Sequence, residues 1–172
     1  GNPDLKPEKA WTGEAGIKFL KQGLQLKLAG FQRRGENIIS WLWLQEKEKW
    51  HTQNLTELHT TGAEAGIQIR PGKIWKHLHV VNFLGITYSY IDISRQNKDI
   101  VTNYTLDNLK HKFSLVAQHT VYKKIRMRWN AGYFNRNGGY LVYDAAADKS
   151  YEKSYKPHWK IDARLSWQAS SW

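Results

Sequence analysis

Residues 125–130, Ile125-Arg126-Met127-Arg128-Trp129-Asn130, alternate apolar and polar side chains without a break. Successive strand side chains point to opposite faces. The run therefore has an oily face of Ile125, Met127 and Trp129 and a wet face of Arg126, Arg128 and Asn130. The same period recurs towards both ends of the chain. Leu24, Leu26 and Leu28 oppose Gln25 and Lys27, and Ile161, Ala163 and Leu165 oppose Asp162, Arg164 and Ser166. An all-β chain follows. In a soluble sandwich the Leu24/Leu26/Leu28 and Ile125/Met127/Trp129 faces would be buried against each other. In a membrane barrel both would meet lipid, and Arg126, Arg128 and Arg164 would share a concave wet face.

Seven segments read as strands, at roughly residues 10–20, 24–43, 50–69, 78–91, 109–121, 125–136 and 159–168, and no helix is expected. Three connections are tight: Lys21-Gln22-Gly23, Arg70 to His77 with Pro71-Gly72 at its bend, and Tyr122-Lys123-Lys124. The other three differ. Residues 44–49 form a charged tip on two very long strands, residues 92–108 are polar, and residues 137–158 carry Gly138-Gly139, three alanines and several tyrosines. Short turns at one end and long excursions at the other are the habit of an antiparallel up-and-down meander of the outer-membrane barrel type. A membrane strand needs only ~9–11 residues to cross, so the longest strands here would project beyond the bilayer on the long-loop side.

The stock of nine Trp and nine Tyr is large for 172 residues, and many fall near strand ends. Rings with an apolar body and a polar tip suit the lipid–water boundary, although aromatics also serve as ordinary strand and core residues. The balance of 26 Lys+Arg against 15 Asp+Glu gives a charge of +11. Those cations are spread over strand faces, turns and loops, with no basic helix or nucleic-acid motif, so no nucleic-acid partner is expected. There are no cysteines, which excludes disulfides and thiolate metal sites. Mean hydropathy is negative, but strands with a single apolar face give a weak hydropathy signal, so this does not decide against a membrane.

Residues 1–9, GNPDLKPEK, resemble the Asn-Pro-x-Leu-x-Pro-Glu motif that precedes a barrel strand in TonB-dependent outer-membrane receptors. The likeness continues in order along the chain. It runs through Glu14 and Gly16, Phe31-Gln32-Arg33 with Ile38-Ile39, Asn54, and Thr61-Gly62-Ala63-Glu64-Ala65-Gly66. It then takes in Thr87-Tyr88-Ser89-Tyr90-Ile91-Asp92, Leu109-Lys110-His111-Lys112-Phe113 and Ile161-Asp162-Ala163-Arg164-Leu165-Ser166.

The resemblance implies a partial segment of a transmembrane β-barrel, residues 1–172, with about seven of the family's ~22 strands. The plug, the TonB-contacting box, the early barrel strands and the closing strands would lie outside it. The implied role is the wall and external loops of a receptor in the bacterial outer membrane that imports a scarce solute such as a ferric siderophore or cobalamin. Its partners would be that nutrient, outer-membrane lipid and, through regions absent from these residues, an inner-membrane energising complex. An isolated fragment would self-associate.

No catalytic residues, cofactor or metal are expected. No Ser-His-Asp pattern is present, and the carboxylate pairs Asp4/Glu8 and Glu46/Glu48 read as turn and loop groups. His77 and His79 stand two apart on what reads as a strand start, without a third ligand nearby. His111 reads as a structural residue at a strand start. Ligand-facing candidates are loop aromatics and their neighbours: Trp43, Trp50 and His51 around the first tip, and Tyr140, Tyr143, Tyr151 and Tyr155, with Trp159, in the last excursion. Exposed rings among Lys and Arg suit a large, often anionic ligand. The alternative is a soluble all-β module that binds carbohydrate or another small ligand by stacking.

Overall fold

The computed structural model describes residues 2–44, 49–95, 108–146 and 148–169. Among these residues nine strands form: β1 Lys9–Lys21, β2 Leu24–Leu44, β3 Lys49–Ile69, β4 Val81–Arg95, β5 Leu109–Tyr122, β6 Ile125–Arg136, β7 Gly139–Asp144, β8 Lys149–Ser154 and β9 His158–Trp167. Seven of them make one antiparallel sheet in the order β1-β2-β3-β4-β5-β6-β9, and β7 and β8 form a separate hairpin. The sheet is open, with β1 and β9 at its edges.

The seven expected strands are present, with shifted ends. β4 begins at Val81 rather than 78 and continues to Arg95. Three features depart from the sequence expectation. The excursion before β9 contains the β7–β8 hairpin. The Arg70-to-His77 connection is not a simple reversal: it holds a one-turn helix, α1, Pro71–Ile74, and a 3-10 turn, Lys76–Leu78. His77 and His79 consequently sit in that turn and share no strand face, and the His79 ring nitrogen Nδ1 lies 3.3 Å from the Lys76 carbonyl. Proline at the first helical position explains the local choice, since its fixed φ favours helix entry and its missing N–H is not needed there.

The short connections interlock at one end of the sheet. The Arg70 N–H donates to the Gly23 carbonyl at 2.7 Å, Thr120 N–H to Val80 at 2.9 Å, and Gln168 N–H to Lys124 at 3.1 Å. The long connections all leave from the other end.

Register sorts the side chains into two faces. One face carries Ile17 and Phe19, Leu24, Leu26 and Leu28, Ile67 and Ile69, Leu84 and Ile86, Leu115, Met127 and Trp129, and Ile161 and Leu165. Tyr88, Phe113, Tyr133 and Trp159 are successive cross-strand partners on this face and form an aromatic row. The Tyr133 and Trp159 rings lie 5.2 Å apart, and Phe113 and Trp159 6.4 Å. The opposite face carries Lys18, Lys27, Glu64, Lys112, Arg126, Arg128, Asn130, Asp162 and Arg164. Arg128 and Arg164 are direct partners, and Arg126 lies two residues along the same face.

Among the described residues no second sheet covers the oily face. Ile17 and Ile161 are each 70% exposed and Leu165 65%, and, glycines aside, only Ala29 and Pro71 are buried apolar residues among those described. Each such side chain gains about 2 kcal/mol when removed from water. A face this extensive is built to meet an apolar medium. The sandwich arrangement, with Leu26 and Leu28 packed on Trp129, does not form.

The motif before β1 straps the outer ends of β2 and β3. Asn54 accepts from the Lys6 N–H at 2.8 Å and donates to the Lys6 carbonyl at 2.9 Å and the Asn37 carbonyl at 2.6 Å. The Glu8 carboxylate accepts from the Ile39 N–H at 2.6 Å. Asn37 has φ 55°, in the left-handed region that Asn tolerates better than most residues, and stands just past Glu36, where β1 stops pairing with β2.

Candidate functional site

The wet face ends, on the long-loop side, in a cavity of about 430 Å3 lined by Leu109, Phe134, Arg136, Tyr155, Lys156, His158 and Lys160. Strand register builds it. Phe134 on β6 faces His158 on β9, with the rings stacked at 5.4 Å, and Lys160 is the partner of Gly132. Gly132 matters because a side chain there would start 2.7 Å from the Phe134 ring. Its absence lets Phe134 fold back along the strand. Tyr155, just before β9, is held over this corner, with its ring 5.5 Å from the Arg136 guanidinium and 5.5 Å from the Tyr140 ring.

Among the described residues the lining carries Arg136, Lys156 and Lys160 and no carboxylate. The Lys160 ammonium lies 3.6 Å from an Asp162 carboxylate oxygen. Lys112, the partner of Phe134, adds positive charge on the same face. Low-dielectric walls around like charges focus the field and attract anions. The aromatic rings offer flat surfaces for stacking and cation–π contact.

The sequence-predicted aromatics divide. Tyr140 and Tyr151 lie on one face of the β7–β8 hairpin, whose register pairs Tyr140 with Lys153 and Val142 with Tyr151. Tyr140 meets Tyr155 there. Tyr143 points to the opposite face and donates to the Asp148 carboxylate at 2.6 Å. That bond, with some desolvation, raises the Tyr143 hydroxyl above its ordinary pKa. Trp159 stands on the oily face in the aromatic row, away from the cavity.

At the first tip, Trp43 and Trp50 are direct backbone partners on β2 and β3, and their side chains lie outside the described residues. His51 pairs with Leu42, and its Nε2 is buried without a hydrogen-bond partner among the described residues. Glu46 and Glu48 lie outside the described residues altogether. His111 accepts or donates a hydrogen bond at 2.8 Å with the Tyr88 hydroxyl and stacks on the Tyr88 ring, a structural cross-strand contact. No group of three His, Asp or Glu side chains able to hold a metal occurs among the described residues.

Phe134, Arg136, Lys156, His158 and Lys160 were not singled out from the sequence. The available signal was strand parity: even-numbered positions of β6 and β9 continue the wet face set by Arg126, Arg128 and Arg164.

The family model described as TonB dependent receptor-like, beta-barrel matches residues 1–172, the whole chain. The chain belongs to the TonB-dependent receptor β-barrel family. Solved structures agree on the fold of this receptor segment. It is similar to the FrpB iron transporter from Neisseria meningitidis, with TM-score 0.69 and 12% identity over 96% of this chain and 25% of that one. It is also similar to the pyoverdine outer membrane receptor FpvA from Pseudomonas aeruginosa PAO1, bound to pyoverdine, with TM-score 0.65, 18% identity and coverage of 96% and 24%. The ferric-catecholate import receptor Fiu from Escherichia coli K12 gives TM-score 0.61, 20% identity and coverage of 98% and 22%. The segment thus spans about a quarter of the length of these structures. None of the curated protein sequences matches it. The family is one of receptors rather than enzymes.

Proposed function

We propose that residues 1–172 are one partial unit, the wall and external-loop segment of an energy-coupled receptor in a bacterial outer membrane. The whole receptor imports a scarce solute such as a ferric siderophore or cobalamin. Coupling to an inner-membrane energising complex falls to other parts of the protein, and the segment itself performs no catalysis. The observation that carries this reading is the pairing of an uncovered apolar face with a wet face that ends in a cation- and aromatic-lined cavity at the long-loop end. The first face suits lipid and the second suits a solute.

In this reading Tyr140, Tyr151 and Tyr155 approach the solute from above, with Trp43, Trp50 and His51 on the other long tip. Arg136, Lys156, His158 and Lys160 receive it from the wall. Arg136, Lys156 and Lys160 in the lining favour an anionic iron chelate over a neutral solute. FpvA and Fiu, whose names describe a pyoverdine receptor and a ferric-catecholate import receptor, support that choice by analogy of fold.

Uptake of labelled iron chelates and of cobalamin by a deletion strain tests the proposal. Loss of uptake of one of them, restored by the native gene, is the expected result. A receptor carrying R136Q, K156Q and K160Q together should bind that solute at least about tenfold more weakly. Unchanged uptake of every solute in the deletion strain would overturn the proposal.

A further inference from the structure

Charge is segregated along the strands. Residues 15–35, 65–91 and 108–143 contain no Asp or Glu, and these stretches include all three short connections. The short-turn end therefore presents Lys21, Arg70, Lys73, Lys76, Lys123 and Lys124 with no acidic residue among them. Solubility alone does not require one sign.

The Arg70-to-Val80 connection adds a second property. Between its cations it exposes Ile74 at 40%, Trp75 at 47%, Leu78 at 37% and Val80 at 47%. These side chains are not displaced by a loose loop. Pro71 is buried, Trp75 N–H bonds to the Pro71 carbonyl at 2.8 Å, and α1 packs on the β1–β2 turn where Gly23 leaves room for Ile74 and Lys73. The connection also joins the oily face directly, between Ile69 at the end of β3 and Leu84 near the start of β4.

Bulk water disfavours this apolar group, and an apolar protein surface would disfavour its cations. A membrane interface with anionic headgroups accepts both: rings and aliphatic side chains enter the headgroup boundary, and lysines reach the phosphates. We infer that the Arg70-to-Val80 connection is an interfacial docking site for anionic phospholipid, with Ile74, Trp75 and Leu78 entering the leaflet at the short-turn end and Lys73 and Lys76 meeting the headgroup phosphates. The inference rests on the barrel-wall reading above, which it extends from a generic lipid face to a particular lipid charge and a particular turn.

Amide exchange in the receptor that carries this segment tests it. The receptor is placed in nanodiscs of phosphatidylcholine, with or without phosphatidylglycerol, and exchange over residues 72–80 is followed by mass spectrometry. Phosphatidylglycerol should slow that exchange by about tenfold, and the K73Q/K76Q variant should exchange equally in both discs. Equal exchange of the native receptor in both discs would overturn the inference, as would an undiminished lipid effect in K73Q/K76Q. Slowing by inorganic phosphate in phosphatidylcholine discs would also overturn it, because the site would then take free phosphate. These failures leave the barrel-wall reading standing, whereas a receptor that does not integrate into either disc overturns both.

Discussion

Gly23 has φ 77°, accepts the Arg70 N–H at its carbonyl, and lies where a Cβ would come within 2.9 Å of Ile74 and 3.0 Å of the Arg70 carbonyl. Backbone strain and crowding both oppose any side chain here. Gly23→Ala should cost about 1–3 kcal/mol, read as a lower urea midpoint for the chain in detergent micelles, and an unchanged midpoint would show that the two turns are not coupled through this residue. Tyr143 supplies a pH-dependent counterpart at the opposite end. Its hydroxyl proton is donated to Asp148 in the folded hairpin, so its pKa is raised above the ordinary tyrosine value near 10. A raised folded pKa means the bond's contribution is fully present below that ordinary value and is lost as pH climbs through the folded value. Ultraviolet titration should show Tyr143 ionising later than in D148N. Coincident curves would exclude the bond in solution. Both residues are fixed by partners far along the chain or across a turn, which is where sequence reading has least purchase.

Among elements, the strap is the one whose sequence and structural meanings can be set side by side. The Asn-Pro-x-Leu-x-Pro-Glu resemblance pointed to the family, and the structure gives the motif a mechanical task through Asn54 and Glu8. Asn54→Ala removes three hydrogen bonds to two backbone segments, and a net loss of about 1–3 kcal/mol in local stability is expected. Faster exchange at Lys6 and easier proteolysis of residues 2–8 would report it, and unchanged protection would show that the strap is held by other contacts. The main strands were legible because period-two alternation is a local property, and β2, β5, β6 and β9 each carry it openly. The β7–β8 hairpin was not, because Lys149–Ser154 is polar on both faces and the preceding alanines carry no period. α1 was hidden by its length, one turn under a Pro-Gly pair that reads equally well as a bend. The cavity escaped for a different reason: Phe134, His158 and Lys160 are brought together by cross-strand register, which depends on turn geometry rather than on any one segment. The wet face was foreseeable from Arg126, Arg128 and Arg164, and the corner at its end was not.

For the whole molecule, the open sheet sets a limit on how this chain behaves alone. Seven strands do not close a barrel whose full wall takes ~22, so β1 and β9 are left as edges with unpaired N–H and C=O groups. Every residue of β9 is exposed, including Trp159, Ile161, Leu165 and Trp167. The oily face spans all seven strands of the sheet. It exceeds the ~300–600 Å2 of contiguous apolar surface that a soluble monomer usually shows. Edge pairing satisfies the backbone and face-to-face contact withdraws the apolar side chains, so each route lowers the free energy of two copies relative to one. The formal charge of +11 opposes association at low ionic strength, yet most of its cations lie on the wet face, in the turns and in the loops, with Arg34, the partner of Trp11, among the few on the oily side. Added salt should therefore promote association rather than reverse it. The expected result in detergent-free buffer is a light-scattering mass well above that of a 20.1 kDa monomer, rising with salt, and a return to one chain per micelle when detergent is added. A monodisperse monomer in detergent-free buffer would mean that the Leu24/Leu26/Leu28 and Ile125/Met127/Trp129 faces are covered by the chain itself, and the open sheet could not then be its solution structure.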